Sequence, residues 1–144
     1  MKKPLILSAV AALTVAALVV VAQAQKEKHV VYVDSAKGTY KAMPGGGGVS
    51  MHVLRGDPDK SSHATFTKFE PGYDAGMHTH TADVSCVVIK GAYLYKDDAG
   101  EKRVGPGEYI SIPGGHKHWS GGDKTEGALF YQEGSAKFDL IPAK

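Results

Sequence analysis

The sequence GYDAGMHTHTADVSCVVIKG, residues 72–91, begins with a segment that contains two glycines. Two histidines and a run of mostly β-branched residues follow it. A second glycine-rich stretch, GEYISIPGGHKH at residues 107–118, contains two more histidines with the same spacing. Side chains at positions i and i+2 of a strand point to the same face. The pairs His78/His80 and His116/His118 can therefore each direct two imidazoles towards one point.

Histidine pairs of this kind are typical of metal sites, because imidazole is a good ligand for zinc, iron, copper and nickel. A single pair is explained more simply as two solvated side chains at the end of a strand. Two pairs beside glycine-rich turns, about 38 residues apart, favour a shared metal site.

The rest of the sequence predicts strands and almost no helix. No long window has apolar residues at helical spacing without an intervening glycine or proline. Short runs typical of strands recur instead, separated by turn-forming residues. The predicted strands are 29–33, 49–55, 63–69, 84–90, 92–95, 109–112, 128–132 and 138–141. About eight closely spaced strands predict a single all-β domain, a sandwich or a barrel.

The composition of the 144-residue chain is that of an ordinary globular protein, with 42% hydrophobic and 22% charged residues. Its single cysteine, Cys86, excludes an internal disulfide framework and a CxxC redox or zinc motif. Cys86 follows Val84 by two positions in an apolar strand, so it is expected to be a small buried thiol.

The N-terminus has the pattern of a secretory signal peptide. Two lysines precede an apolar run at residues 5–21, which ends at the small-residue sequence Ala22-Gln23-Ala24. We expect cleavage after Ala24, which would divide the chain into a signal peptide (1–24) and a mature domain (25–144) in the periplasm or outside the cell. The alternative is a retained membrane anchor, because about 17 apolar residues approach the lower limit for a span. The mature part would carry 15 basic and 15 acidic residues, which argues against nucleic-acid binding.

The two glycine–histidine stretches resemble the two signatures of the cupin superfamily. Gly72, His78, His80 and Gly91 are spaced as in G-x5-H-x-H-x3,4-E-x6-G. The second signature, G-x5-P-x-G-x2-H-x3-N, is similar to the positions Gly107, Pro113, Gly115 and His118. The sequence around these motifs also resembles that of small cupins related to the cupin half of anti-sigma regulators. The resemblance implies a double-sheet β-barrel (a jelly roll) with one divalent transition metal held by His78, His80 and His118.

The sequence departs from the cupin pattern at two positions. Val84 occupies the position of the usual glutamate ligand, and Gly122 occupies that of the closing asparagine. A site with three neutral imidazoles keeps open coordination positions and a charge of +2, which favours anionic ligands. Asp83 or His116 are the candidates for a fourth ligand, and loss of the metal is a further alternative. His116 is also the candidate catalytic acid or base.

These features predict an exported, metal-dependent enzyme that acts on a small molecule, with dioxygenase-like chemistry the leading expectation. The charge of the site favours an anionic molecule. The metal would be iron, zinc, manganese, nickel or copper. The alternative is a non-catalytic module that binds or senses a metal or small ligand. Cupins perform both roles, so the fold alone does not choose. The resemblance also implies that two copies of the chain can pair as a homodimer.

Overall fold

The strands of this protein are short and antiparallel. The computed structural model describes residues 29–45 and 47–144, and the unit formed by residues 32–144 contains eleven strands within these ranges. They are β1 (Lys41–Ala42), β2 (Val49–Gly56), β3 (His63–Phe69), β4 (Asp74–Thr79), β5 (Val84–Gly91), β6 (Tyr93–Asp97), β7 (Gly100–Val104), β8 (Tyr109–Ile112), β9 (His118–Gly122), β10 (Ala128–Gly134) and β11 (Ile141–Pro142).

Two sheets account for all of these strands. One has the order β1-β2-β3-β10-β5-β8 and the other has the order β11-β4-β9-β6-β7. No residue in the described ranges is helical, so the predicted all-β architecture is confirmed. The predicted signal peptide, residues 1–24, lies outside the described residues. Nowhere in the described part of the chain is there a helix long and apolar enough to cross a membrane.

Two of the predicted strands are wrong in whole or in part. Residues 29–33 form no strand, and Val30, Val31 and Tyr32 are exposed, so the apolar run there has no sheet to join. The predicted strand 138–141 is reduced to β11 at its far end. The Phe138 amide donates to the Pro58 carbonyl in a loop and does not enter a ladder.

Alternation along the strands explains how the hydrophobic core forms between the sheets. On β5 the side chains of Val84, Cys86 and Val88 are buried, whereas Val87 and Ile89 face outwards. Period-two burial of this kind is expected when one face of a sheet packs against another layer. The buried core cluster comprises Val84, Cys86, Val88, Tyr93, Tyr95, Val104, Ile112, Ala128 and Phe130.

Gly91, which closes the first cupin-like signature, has a steric reason to be glycine. It ends β5 with a φ of 70°, and a Cβ atom added there would overlap the Gly127 carbonyl oxygen. Gly107 has a similar φ of 81°, but a Cβ atom added there would have no neighbour within 4 Å. A substitution at Gly107 would therefore cause only the backbone strain of a positive φ, whereas the same substitution at Gly91 would add a steric clash.

We expect Gly91→Ala to destabilise the protein by about 2 kcal/mol more than Gly107→Ala. The left-handed conformation alone costs an alanine about 1 kcal/mol, and only Gly91→Ala must also displace a neighbouring carbonyl. Urea unfolding of both variants would measure the difference. Equal losses of unfolding free energy in the two variants would contradict this account of Gly91.

Candidate metal centre

Three histidines come together where β4 meets β9. His78 lies on β4 and His118 begins β9, and the two residues are direct partners in the β4–β9 pairing. His80 follows the end of β4 by one residue. One nitrogen from each ring lies within 4.8 Å of the others, and all three residues are buried. The structure thus brings together the three histidines that the resemblance implied as metal ligands.

The same hydrogen-bond pattern orients each of the three rings. The Nδ1 atom of His78 is 2.8 Å from the Gly76 carbonyl oxygen, and that of His118 is 3.0 Å from the His116 carbonyl oxygen. The Nδ1 atom of His80 is hydrogen bonded to the Asp139 carbonyl oxygen. Because a carbonyl only accepts, each Nδ1 must carry the proton and donate it. Each Nε2 is therefore left with a free lone pair.

The protonation state of the cluster also suits a metal ion. Burial lowers the pKa of His78, His80 and His118, and the neighbouring imidazoles lower it further. Burial disfavours the charged form of a base, so the neutral form persists at neutral pH. Metal binding needs that neutral form.

The residues present fit a divalent transition metal. The Nε2 atom of His118 is fully buried and has no hydrogen-bond partner among the described residues. A buried acceptor without a partner is rare in native structures and calls for an explanation. A metal ion at the convergence of the three lone pairs would satisfy it, and imidazole donors suit zinc, iron, copper and nickel.

The structure does not bring the two candidates for a fourth ligand into the cluster. The exposed side chain of Asp83 accepts a hydrogen bond of 2.8 Å from the Gly114 amide and is thereby held at a loop. Val84 is buried at the position of the usual glutamate and lines the cavity described below. The three histidines therefore form the whole cluster found among the described residues.

The His116 ring lies 6.4 Å from the His118 ring, and His116 does not line the cavity described below. Its exposed ring has Nε2 2.9 Å from the Tyr95 hydroxyl and 3.1 Å from Oδ2 of Asp97. Tyr95 donates its own proton to Asp97 and stacks on the His118 ring at 5.7 Å. His116 thus belongs to a group that supports His118 from outside, and the assignment of His116 as an acid or base stays a prediction.

A cavity of about 370 Å³ opens beside the histidines, between the two sheets. His78 and His80 lie in its lining, together with mostly apolar residues and a few neutral polar groups. Among the described residues that line it, none is Lys or Arg, and Asp74 is the one carboxylate. Cys86 also faces this space as the predicted buried thiol, and burial raises its pKa. A small, largely apolar molecule fits such a lining.

The closing segment, residues 135–142, covers one side of the site. Phe138 and Leu140 line the cavity, and the Phe138 ring lies 5.2 Å from the ring of His80. The carboxylate of Asp139 accepts hydrogen bonds of 2.8 Å from the Thr81 amide and 2.5 Å from the Thr81 hydroxyl. This segment holds His80 through side-chain and backbone contacts that the sequence analysis did not predict.

Gln132 is the second feature that sequence reasoning missed. It is buried on β10 and lines the cavity. A signal was present, because residues 128, 130, 132 and 134 share one face of that strand, and Gln132 is the polar side chain in an otherwise apolar or small set. His52 and His63 do not belong to the cluster. The Nδ1 atom of His52 is hydrogen bonded to the Thr39 carbonyl oxygen, whereas that of His63 is bonded to the carbonyl oxygens of Ser61 and of Ala136 in the closing segment.

The metal-free protein is expected to lose stability as the pH falls below about 6.5, the ordinary histidine pKa. Because the pKa values of His78, His80 and His118 are lowered in the folded state, the unfolded chain binds more protons in this window. Stability therefore falls with decreasing pH until the lowered values are passed. Urea unfolding of the metal-free protein across this range would measure the slope, and His78→Gln should make it shallower. A slope unchanged by that substitution would contradict the prediction.

Comparison with known proteins agrees with this geometry. A family model described as the ChrR Cupin-like domain matches residues 28–137. No curated protein matches the chain. The polyketide cyclase RemF from Streptomyces resistomycificus is 19% identical, with 81% of this chain and 87% of RemF covered and a TM-score of 0.66.

Two further solved structures share the fold. A protein of unknown function with a cupin-like fold from Ralstonia eutropha is 24% identical over 81% of this chain and 79% of its own, with a TM-score of 0.65. A sugar phosphate isomerase of the cupin superfamily from Silicibacter pomeroyi is 21% identical over 73% and 75%, with a TM-score of 0.53. These likenesses show the fold, and the family match covers most of the chain. The protein therefore belongs to the ChrR cupin-like family.

Proposed function

We propose that this chain is an exported metalloenzyme that binds one divalent transition metal through His78, His80 and His118 and acts on a small molecule in the adjacent cavity. The observation that carries the proposal is the convergence of three buried rings. Every Nδ1 is committed to a carbonyl oxygen, and every Nε2 is left as a donor for a metal. Such outer hydrogen bonds fix the ring orientation and the tautomer of metal-binding histidines.

The residues around such a site would have separate roles. Bound to three imidazoles, a divalent ion would supply Lewis-acid polarisation at its open coordination positions. Val84 lines the cavity and has no ligand atom, so an ion held by the three histidines would keep open positions for a substrate. Phe138 and Leu140 add apolar surface to the lining on the side of the closing segment. The lining carries no basic side chain among the described residues, so the charge of an anionic substrate would be balanced by the ion.

The names of the fold neighbours support an enzyme. They include a polyketide cyclase and a sugar phosphate isomerase. Polyketides and sugar phosphates are both oxygen-bearing small molecules, and neither name describes an oxygenase. We therefore propose a reaction in which a Lewis acid activates an oxygen-bearing small molecule.

A binding or sensing role is the second candidate, and one observation favours it. General acid–base catalysis needs a proton-transferring group within hydrogen-bond reach of the substrate. Among the described residues lining the cavity, the one carboxylate is that of Asp74. It already accepts a hydrogen bond of 2.6 Å from the indole N–H of Trp119. His116 lies outside the cavity.

One experiment distinguishes the two roles. Protein purified from its native compartment is analysed for metal and for its N-terminal residue, then incubated with a small-molecule extract of that compartment and examined by mass spectrometry. An enzyme should deplete one compound and accumulate another, whereas a binding module should retain one compound unchanged. His118→Ala should abolish either effect, and His52→Ala should abolish neither. Purified protein that contains no metal would contradict the metal site. A retained Met1 would contradict cleavage of the predicted signal peptide.

A further inference from the structure

The Gln132 side chain is the buried polar group of the cavity that the metal site does not explain. It is 4% exposed, and its Nε2 has no hydrogen-bond partner among the described residues. On the sheet it lies between Thr65 of β3 and Cys86 of β5. Buried polar groups are almost always hydrogen bonded, so an amide nitrogen left without a partner beside a cavity marks a place where an occupant supplies the bond.

The other buried polar groups of this lining already have partners within the chain. The Thr67 hydroxyl lies 2.8 Å from the Thr65 hydroxyl, and the hydroxyls of Tyr93 and Ser120 are hydrogen bonded to each other. Gln132 differs from these hydroxyls, because its Nε2 is the buried polar atom of the described lining that has no hydrogen-bond partner at all. It is also uncharged, so it recognises an oxygen by hydrogen bonding without requiring a full negative charge.

We propose that the Gln132 carboxamide donates a hydrogen bond to an oxygen of the cavity's ligand, and so selects small, mostly apolar molecules that carry a carbonyl, enol or enolate oxygen near the histidines. This inference rests on the proposed metal site, since His78 and His80 line the same cavity. A buried donor discriminates strongly, because a ligand without the acceptor leaves the donor unpaired.

The test uses the cobalt-loaded protein, whose visible spectrum reports ligand binding at the ion. Tropolone is the probe, since it has an apolar ring with two adjacent oxygens and is small relative to the cavity. Imidazole is the comparison ligand, because its ring nitrogen binds a metal and its remaining N–H cannot accept a hydrogen bond. Gln132→Met keeps the length of the side chain without polar hydrogens, and Gln132→Leu is a second variant without a donor. Tyr131→Phe is the matched control, because it removes a hydroxyl from the same strand at a residue that bonds to Glu133 and does not line the cavity.

We expect both Gln132 variants to retain one cobalt per chain and to bind tropolone about tenfold more weakly, with imidazole affinity unchanged. Tyr131→Phe should keep both affinities. Unchanged tropolone affinity in cobalt-loaded Gln132→Met would overturn the inference and leave the metal site intact. Loss of cobalt from both Gln132 variants would overturn it in favour of a role at the metal. An unmodified protein that bound no cobalt would overturn the proposed function itself, and one that bound cobalt but no tropolone would overturn the ligand class alone.

Discussion

His118→Ala is expected to lower the affinity for a divalent transition metal by at least about 100-fold. His118 would supply one of the three imidazoles of the proposed site, it is fully buried, and its Nε2 has no alternative partner in the described structure. A site reduced to His78 and His80 has two imidazoles, and no other side chain of the described chain completes the cluster. Loss of a ligand costs more than loss of an outer hydrogen bond, which itself costs about 10- to 100-fold. Competition with a chelator at neutral pH would measure the change.

His52 gives the cleaner control for that experiment. Its ring is hydrogen bonded to the Thr39 carbonyl and contacts Tyr40, far from the cluster. His63 is less suitable, because its ring packs against Phe138 and bonds to the Ala136 carbonyl in the closing segment. His52→Ala should retain one metal ion per chain. Full metal content in His118→Ala would refute the three-histidine centre, whereas loss in both variants would indicate unfolding and would be recognised by circular dichroism.

The strands that carry the histidines show where sequence reasoning about the fold is limited. Strand β4 has the sequence DAGMHT and β9 has HWSGG, and neither has the β-branched or alternating apolar pattern that marks a strand. Propensity therefore missed both, although it predicted β3 and β8 at their observed bounds. The histidine motifs compensated in part, because their order and spacing resemble the cupin signatures and so indicated these two segments without a strand pattern.

The parts of the site that were missed depend on contacts between distant parts of the chain. The pairing of Gln132 with Cys86 follows from the register of β10 on β5, and no local pattern specifies that register. The contact of His80 with Asp139 joins residues 59 positions apart. His116 was paired with His118 by spacing alone, but β9 begins at His118, so His116 lies in the preceding turn and the same-face rule for strands does not apply to it.

Asp139→Ala is expected to weaken metal binding by about 10- to 100-fold although Asp139 is not a ligand. Its backbone carbonyl accepts the Nδ1 proton of His80, and its carboxylate accepts two hydrogen bonds from Thr81 that hold this carbonyl in place. Burial raises the pKa of Asp139, but the Thr81 bonds outweigh that effect and keep it lowered, so the carboxylate is charged at neutral pH. Hydrogen bonds to charged groups each contribute about 1.5–3 kcal/mol, and 1.4 kcal/mol is a factor of ten in affinity.

Asp139→Ala should therefore populate a form in which the closing segment is detached. The segment must reattach before the metal binds, and this lowers the apparent affinity. The same chelator competition would measure the affinity, with Lys137→Ala as the matched control on the same segment, because Lys137 is exposed and does not contact His80 through a hydrogen bond. Asp139→Asn should recover part of the loss, since its amide oxygen still accepts one of the two bonds from Thr81. An affinity unchanged in Asp139→Ala would show that the closing segment packs beside the centre without orienting it. A detached segment would also be visible as faster amide exchange at residues 135–142 in the metal-free variant, with exchange in β5 and β10 unaltered.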